Sequence, residues 1–294
     1  GTLDFYEKRT TDLLNEIPTP AGANFSNRIL TNVGNITSKG FELAISATPV
    51  QTDRLTWDVT YNISSNSTRI TKLNAVDVPG YQGVPTGGVT GGTGTTVQIH
   101  SVGYAPSTFF VYKQKYDAAG KPLEGQYEDL NKDGVINEQD KYRAHNPEPK
   151  VLMGLSTTLT FDRWSLSTSL RGSIGNYIYD NVSSLMATHQ AVLNSGNYFR
   201  NTTPEINKSD FQNNNDKQFI SDYYLHKASF VKMDNLTLGY DFGRILGKAS
   251  LRASATVQNV FTLSPYKGLD PERSIDFSLY PIPRTYSLNL SLTL

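Results

Sequence analysis

The chain of 294 residues contains no cysteine, which excludes disulfides and thiolate metal sites. It also has no apolar run of about 18 residues, so helical membrane spans are ruled out. Neither sign of charge is in excess: 27 basic residues face 27 acidic ones, and nothing points to nucleic acid or to a polybasic membrane contact. Enzyme chemistry finds little support. The four histidines, His100, His145, His189 and His226, show no close metal spacing, and no G-x-S-x-G nucleophile elbow occurs. No initiator methionine or export signal is present, so a further portion of chain is expected before Gly1.

What the sequence does have is alternation. From Tyr286 to Leu294 every even position is apolar, with Ser287, Asn289, Ser291 and Thr293 between. Period two over that length describes a strand with one greasy and one wet face, long enough to cross a bilayer at a tilt. The same pattern marks 40–49, 55–63, 151–161, 164–174, 236–242 and 251–261, and weakly the start, where Leu3 and Phe5 flank Asp4. In 151–161 the outward set is Val151, Met153, Leu155, Leu159 and Phe161; in 164–174 it is Trp164, Leu166, Leu170 and Ile174. The second strand turns Arg171 and serines to the other face, which suits a hydrated lumen. Only 37% apolar residues and a mean hydropathy of −0.40 agree, because half of each barrel strand is polar.

The connections sort into short ones (49–54, 162–163 and 243–248) and long ones (10–36, 69–150, 175–228 and 263–283), alternating along the chain. Transmembrane barrels put short turns in the periplasm and long loops outside. The expected fold is therefore all-β: an antiparallel transmembrane β-barrel segment of about eight strands with long extracellular loops. Residues 69–150 form the largest external insertion. Within it, 107–116 is expected to be part of a hairpin outside the membrane wall, and the six glycines of 83–94 to form a mobile loop. One short helix is expected over 181–193. Trp57, Trp164, Tyr240 and Tyr286 are expected at interfacial girdles or the lipid face.

Residues 129–140 read DLNKDGVINEQD. Side-chain oxygens at Asp129, Asn131 and Asp133 alternate, Gly134 permits a sharp turn, Val135 offers its carbonyl, Asn137 stands ninth and Asp140 twelfth, the oxygen ligand pattern that hard Ca²⁺ favours. Aspartate replaces the usual bidentate glutamate at the last position. A structural calcium, an unmetallated turn of the same shape and a dockerin-like docking loop all fit the motif, although no second copy is present. Tyr104, Phe109, Phe110, Tyr112 and Tyr116 are rigid aromatic candidates for stacking on a substrate, or for packing the insertion. Tyr266, Asp270 and Glu272 are candidates for ligand contact, but 267–271 is more economically a loop-shaping turn punctuated by Gly268 and Pro271.

Five segments together resemble the carboxy-terminal third of SusC/RagA-type TonB-dependent outer-membrane transporters: SKGFEL (38–43), YEDLNKDGVINEQD (127–140), SFVKMDNLTLGY (229–240), QNVFTLSPYKGLDPE (258–272) and YPIPRTYSLNLSLTL (280–294). The resemblance covers essentially the whole chain and implies a Gram-negative outer-membrane location, within a barrel of about 22 strands around a plug. It implies that the plug and the upstream part of the same barrel lie outside this chain, that a SusD-type surface lipoprotein sits over the external loops, and that the inner-membrane TonB complex drives import of glycans or peptides. A self-contained eight-strand outer-membrane barrel with structural or adhesive duty, and a secreted calcium-binding scaffold module, remain alternatives on the residues alone.

Overall fold

The computed structural model describes residues 1–18, 25, 28–74, 80–92, 94–193, 198–215, 217–245, 249–277 and 280–293. Its backbone is an eight-stranded antiparallel meander whose strands follow one another across the sheet in chain order: Thr2–Pro18, Arg28–Gln51, Leu55–Lys72, Val151–Phe161, Trp164–Ile174, Phe230–Ile245, Ala249–Leu263 and Thr285–Thr293. Among the described residues the first and eighth strands lie at opposite edges and do not pair, so the sheet is a barrel wall segment rather than a closed eight-strand barrel. Among the described residues no helix is long and apolar enough to cross a membrane.

Cross-strand register gives the wall its two faces. Val50, Trp57, Leu159, Leu166, Leu238, Ala255 and Leu288 form one continuous apolar row. The adjacent row on the opposite face is Asp58, Thr158, Ser167, Thr237, Thr256 and Ser287, stitched by bonds such as Thr48 to Asp58 at 2.7 Å. Apolar side chains on the outward face stay exposed, Leu288 at 74% and Leu290 at 66%. Thr157 and Thr168 interrupt the greasy face, yet their hydroxyls donate back to the carbonyls of Asp58 (2.9 Å) and Asn235 (2.7 Å). Polar groups so satisfied cost little in hydrocarbon. At the short-turn end, Phe161 pairs with Trp164 and Trp164 with Tyr240, whose ring tilts against it at 4.7 Å.

Most of the protein's buried core lies outside this wall. Three long connections fold together into a cap over one end. The 73–150 connection contributes a four-stranded sheet (Val84–Gly88, Thr96–His100, Thr108–Tyr112, Lys141–Arg143) and a small hairpin (Gln114–Tyr116 with Pro122–Tyr127). The 175–229 connection contributes Tyr177–Asp180, short helices and Leu225–Lys227; the last supplies Ile275–Asp276, which pairs with Tyr177–Asp180 in parallel. Val97, Phe109 and Val111 from the first meet Tyr179, Phe211 and Tyr224 from the second and Ile275 from the third in one cluster.

Several expectations change. Residues 10–36 are not a loop for most of their length: the first two strands stay paired to Pro18 and Arg28, with bulges near Asp12 and Asn35. Three of the glycines of 83–94, Gly83, Gly87 and Gly91, stand where a side chain would collide with its neighbours, whereas Gly94 faces open space. Val84–Gly88 is a strand, and a Cβ on Gly91 would lie 2.3 Å from the Phe219 ring. Gly91→Ala is therefore expected to lower the cap's stability by about 1–3 kcal/mol, measurable as a drop in its protease-resistance midpoint; an unchanged midpoint would refute the packing argument. Residues 107–116 lie off the wall, as expected, but break at Lys113 into strands of two different sheets. The single helix over 181–193 is two, Asn181–Met186 and His189–Val192, capped by Asp180 and Thr188. Residues 246–248 of the third short turn and Leu294 fall outside the described residues.

Candidate functional site

The loop 129–140 is organised from its own side chains. Asp129 accepts from the amides of Lys132 (2.7 Å) and Gly134 (2.8 Å), Asn131 from Asp133 (3.0 Å), and Asp133 from Val135 (2.8 Å). Gly134 takes φ +84°, the left-handed conformation the turn demands. Asp140 is fully buried and accepts from Asn137 (2.8 Å) and Leu130 (2.9 Å). Hydrogen bonds from the backbone of Asn137, then of Leu130 and Asn131, hold its carboxyl below the usual range.

Among the described residues no three His, Cys, Asp or Glu side chains group as a metal cluster. Amide and carbonyl oxygens of Asn131, Asn137 and Val135 would have to complete any set here, as hard cations accept. Asn131 donates to Asp133 at 2.9 Å and Asn137 to the Val135 carbonyl at 3.3 Å, so those side chains would have to turn to ligate. Lys217, from the next long connection, donates to the Ile136 carbonyl at 2.7 Å and ties the loop into the cap.

The aromatic candidates separate. Phe109 is fully buried and Tyr112 2% exposed, so both are corrected to packing residues; neither presents a face to a substrate in this conformation. Tyr112 instead tilts against Tyr127 at 5.5 Å. Tyr104 (45%) and Tyr116 (49%) remain open to solvent. Phe110 is half-buried in an alternating stack: Arg143 lies 5.0 Å from the Tyr104 ring centre and 5.2 Å from that of Phe110, with Lys141 5.9 Å beyond.

Sequence reasoning missed the charged junction where wall meets cap. Arg171 donates to Asp234 at 2.8 and 3.0 Å and, bidentately, to Glu272 at 2.7 and 3.0 Å; Lys232 donates to Glu272 at 2.8 Å. Asp234 reaches Arg171 because a β-bulge adds it to its strand, a displacement that alternation alone cannot reveal. Glu272 thus takes a structural ion-pair role. Tyr266 is buried and donates to Asp276 at 2.8 Å, and Asp270 accepts from the amide of Glu272, so these residues shape the loop. Beside the junction the wall bears a hollow of about 510 Å³ lined by Asp4, Glu42, Asn62, Ser64 and Arg171. Its lining carries both charge signs.

No family model matches the chain. It is 40% identical over 300 residues to the TonB-dependent receptor SusC of Bacteroides thetaiotaomicron, covering 99% of this chain and 30% of the relative. It is 25% identical over 327 residues to TonB-dependent receptor P3 of Formosa agariphila, covering 99% and 32%. The fold matches the RagAB peptide transporter structure with a TM-score of 0.72 at 22% identity, over 99% of this chain and 33% of that one. The chain spans about a third of the length of these relatives.

Proposed function

Since the chain belongs to the TonB-dependent receptor family of SusC over the part it matches, we propose that it forms the carboxy-terminal barrel strands and external cap of an outer-membrane nutrient importer. The observation that carries this reading is the wall itself, an open eight-stranded meander with an exposed apolar face and a hydroxyl-lined face. An edge strand left unpaired at each side asks for continuation, which the rest of the same barrel would supply. The cargo is a glycan or a peptide, polar solutes that suit the mixed-charge hollow beside Arg171. A plug outside this chain would couple to the TonB complex, and a SusD-type lipoprotein would cover the cap. No bond is made or broken; the work is selective binding and gating.

Uptake by cells carrying the full-length receptor tests this. Labelled oligosaccharide or oligopeptide should enter only with an intact proton gradient and a functional TonB complex, and deletion of the receptor should abolish entry. Entry that persists without energy, or a receptor that fractionates with soluble protein, would overturn the reading.

Calcium in the loop 129–140 belongs to the same proposal. Asp129, Asn131, Asp133, Asn137, Asp140 and the Val135 carbonyl would hold it, stiffening the cap rather than touching cargo. Chelation of the purified receptor is expected to speed protease cleavage within 129–140 at least fivefold, with Asp133→Ala matching the chelated wild type. Equal cleavage with and without chelator would leave an unmetallated turn.

A further inference from the structure

On the outward face of the first three strands, the apolar columns end in charge. Leu3 and Phe5 are followed on the same face by Glu7 and Arg9; Leu43 and Phe41 by Lys39 and Thr37; Ile63 and Ser65 by Ser67 and Arg69. Register sets these side by side: Glu7 opposite Lys39 opposite Ser67, and Arg9 opposite Thr37 opposite Arg69. Glu7 bridges Arg9 at 2.8 Å and Lys39 at 3.0 Å. Two cations therefore share one carboxylate, with Arg69 one row further on, and the Arg9 and Lys39 side chains are 76% and 64% exposed. The patch is concave. Bulges just beyond Thr10 and at Asn35 bend the strands, and a hollow of about 650 Å³ opens among Glu7, Arg9, Lys39, Ser67, Arg69 and neighbouring threonines.

An outward basic hollow directly above a greasy band, at the long-connection end of the wall, matches an amphiphile with acyl chains below and an anionic head above. We propose that this hollow binds the phosphorylated headgroup of a lipid in the outer leaflet, its chains lying along Leu3, Phe5, Leu43 and Ile63. Guanidinium forks and an ammonium suit phosphate oxygens, and the Ser67 and threonine hydroxyls supply further donors. The proposal rests on the reading of this sheet as a membrane wall.

The test uses the full-length receptor purified in mild detergent, with native mass spectrometry of retained lipid and titration with a monophosphorylated glycolipid in mixed micelles. The variant Arg9→Gln, Lys39→Gln, Arg69→Gln should lower affinity for that glycolipid at least tenfold, since each cation beside an anionic headgroup contributes roughly a fivefold gain. Glu7→Gln should raise it, an opposite sign that a purely structural role would not give and that decides the matter if the triple variant does not fold. Unchanged affinity in both variants, full competition by millimolar inorganic phosphate, or a receptor dimer lost in the triple variant in place of lipid would overturn the proposal. A receptor that fails to enter membranes would instead sink the wall reading, whereas normal insertion with no headgroup preference sinks only this site.

Discussion

Phe109→Ala is expected to loosen the entire cap while leaving the eight-stranded wall in place. Phe109 is fully buried at the meeting of residues from all three long connections, and truncating such a ring leaves a cavity whose cost is about 3–5 kcal/mol. Among the described residues the cap has no second cluster of comparable size; Ile178, Ala228 and Tyr266 form a smaller one. Limited proteolysis of the full-length receptor should show cleavage within 73–150 and 175–229 rising together, with the heat-resistant mobility of the folded barrel retained on gels. Cleavage confined to 73–150 would mean that the connections fold independently, contrary to the shared core.

Glu272→Ala should release the 264–284 connection from the wall. The variant leaves Lys232, only 6% of whose side chain is exposed, without its closest carboxylate, and takes from Arg171 its bidentate partner. Removing one member of a buried pair costs about 3–5 kcal/mol; the figure here is nearer 2, because 42% of the Arg171 side chain faces water and Asp234 remains. Amide exchange over 264–277 should accelerate about thirtyfold. Lys232→Gln in the same chain should recover part of that loss, because both charges then leave together; no recovery would show that the pair does not act as a unit. Acid should mimic the variant. Burial alone would raise the Glu272 carboxyl, but hydrogen bonds from Arg171 and Lys232 outweigh it and hold it lower than usual. A depressed carboxylate stabilises the folded form above its unfolded value of about 4.3 and loses that contribution as pH falls through the folded value. The segment should stay closed at neutral pH and loosen only below about pH 4.

The parts of the fold that could be read from sequence are those where two solvents oppose each other across one strand. Residues 151–161 and 164–174 emerge with the bounds their alternation marks, and the turn at Asp162 and Arg163 between them is as short as expected. Their greasy side faces outward, and Ser167 and Ser169 lie on the wet one, so the period survives in full. Elsewhere the strands outrun the pattern. The second runs to Arg28, well before Gly40, because 28–39 mixes polar and apolar residues on both faces and alternation has nothing to encode. The cap was opaque for a related reason: Val97, Tyr179 and Ile275 lie in short strands of two to five residues, too brief for a period to show, and their meeting depends on distant segments crossing. Of the site candidates, the oxygen pattern of 129–140 was visible because its spacing is local. The burial of Phe109 and Tyr112, and the ion cluster around Arg171, depend on a bulge and on contacts across the chain.

The distribution of the cap's core also constrains the order in which the molecule is made. Val97, Tyr179 and Ile275 reach one cluster from connections separated by wall strands. The Ile275–Asp276 strand, which completes the small parallel pairing with Tyr177–Asp180, lies just before the final wall strand in the chain. Val97 and Tyr179 therefore stay without part of their packing until the Ile275 segment joins them, and such long-range closure is slow.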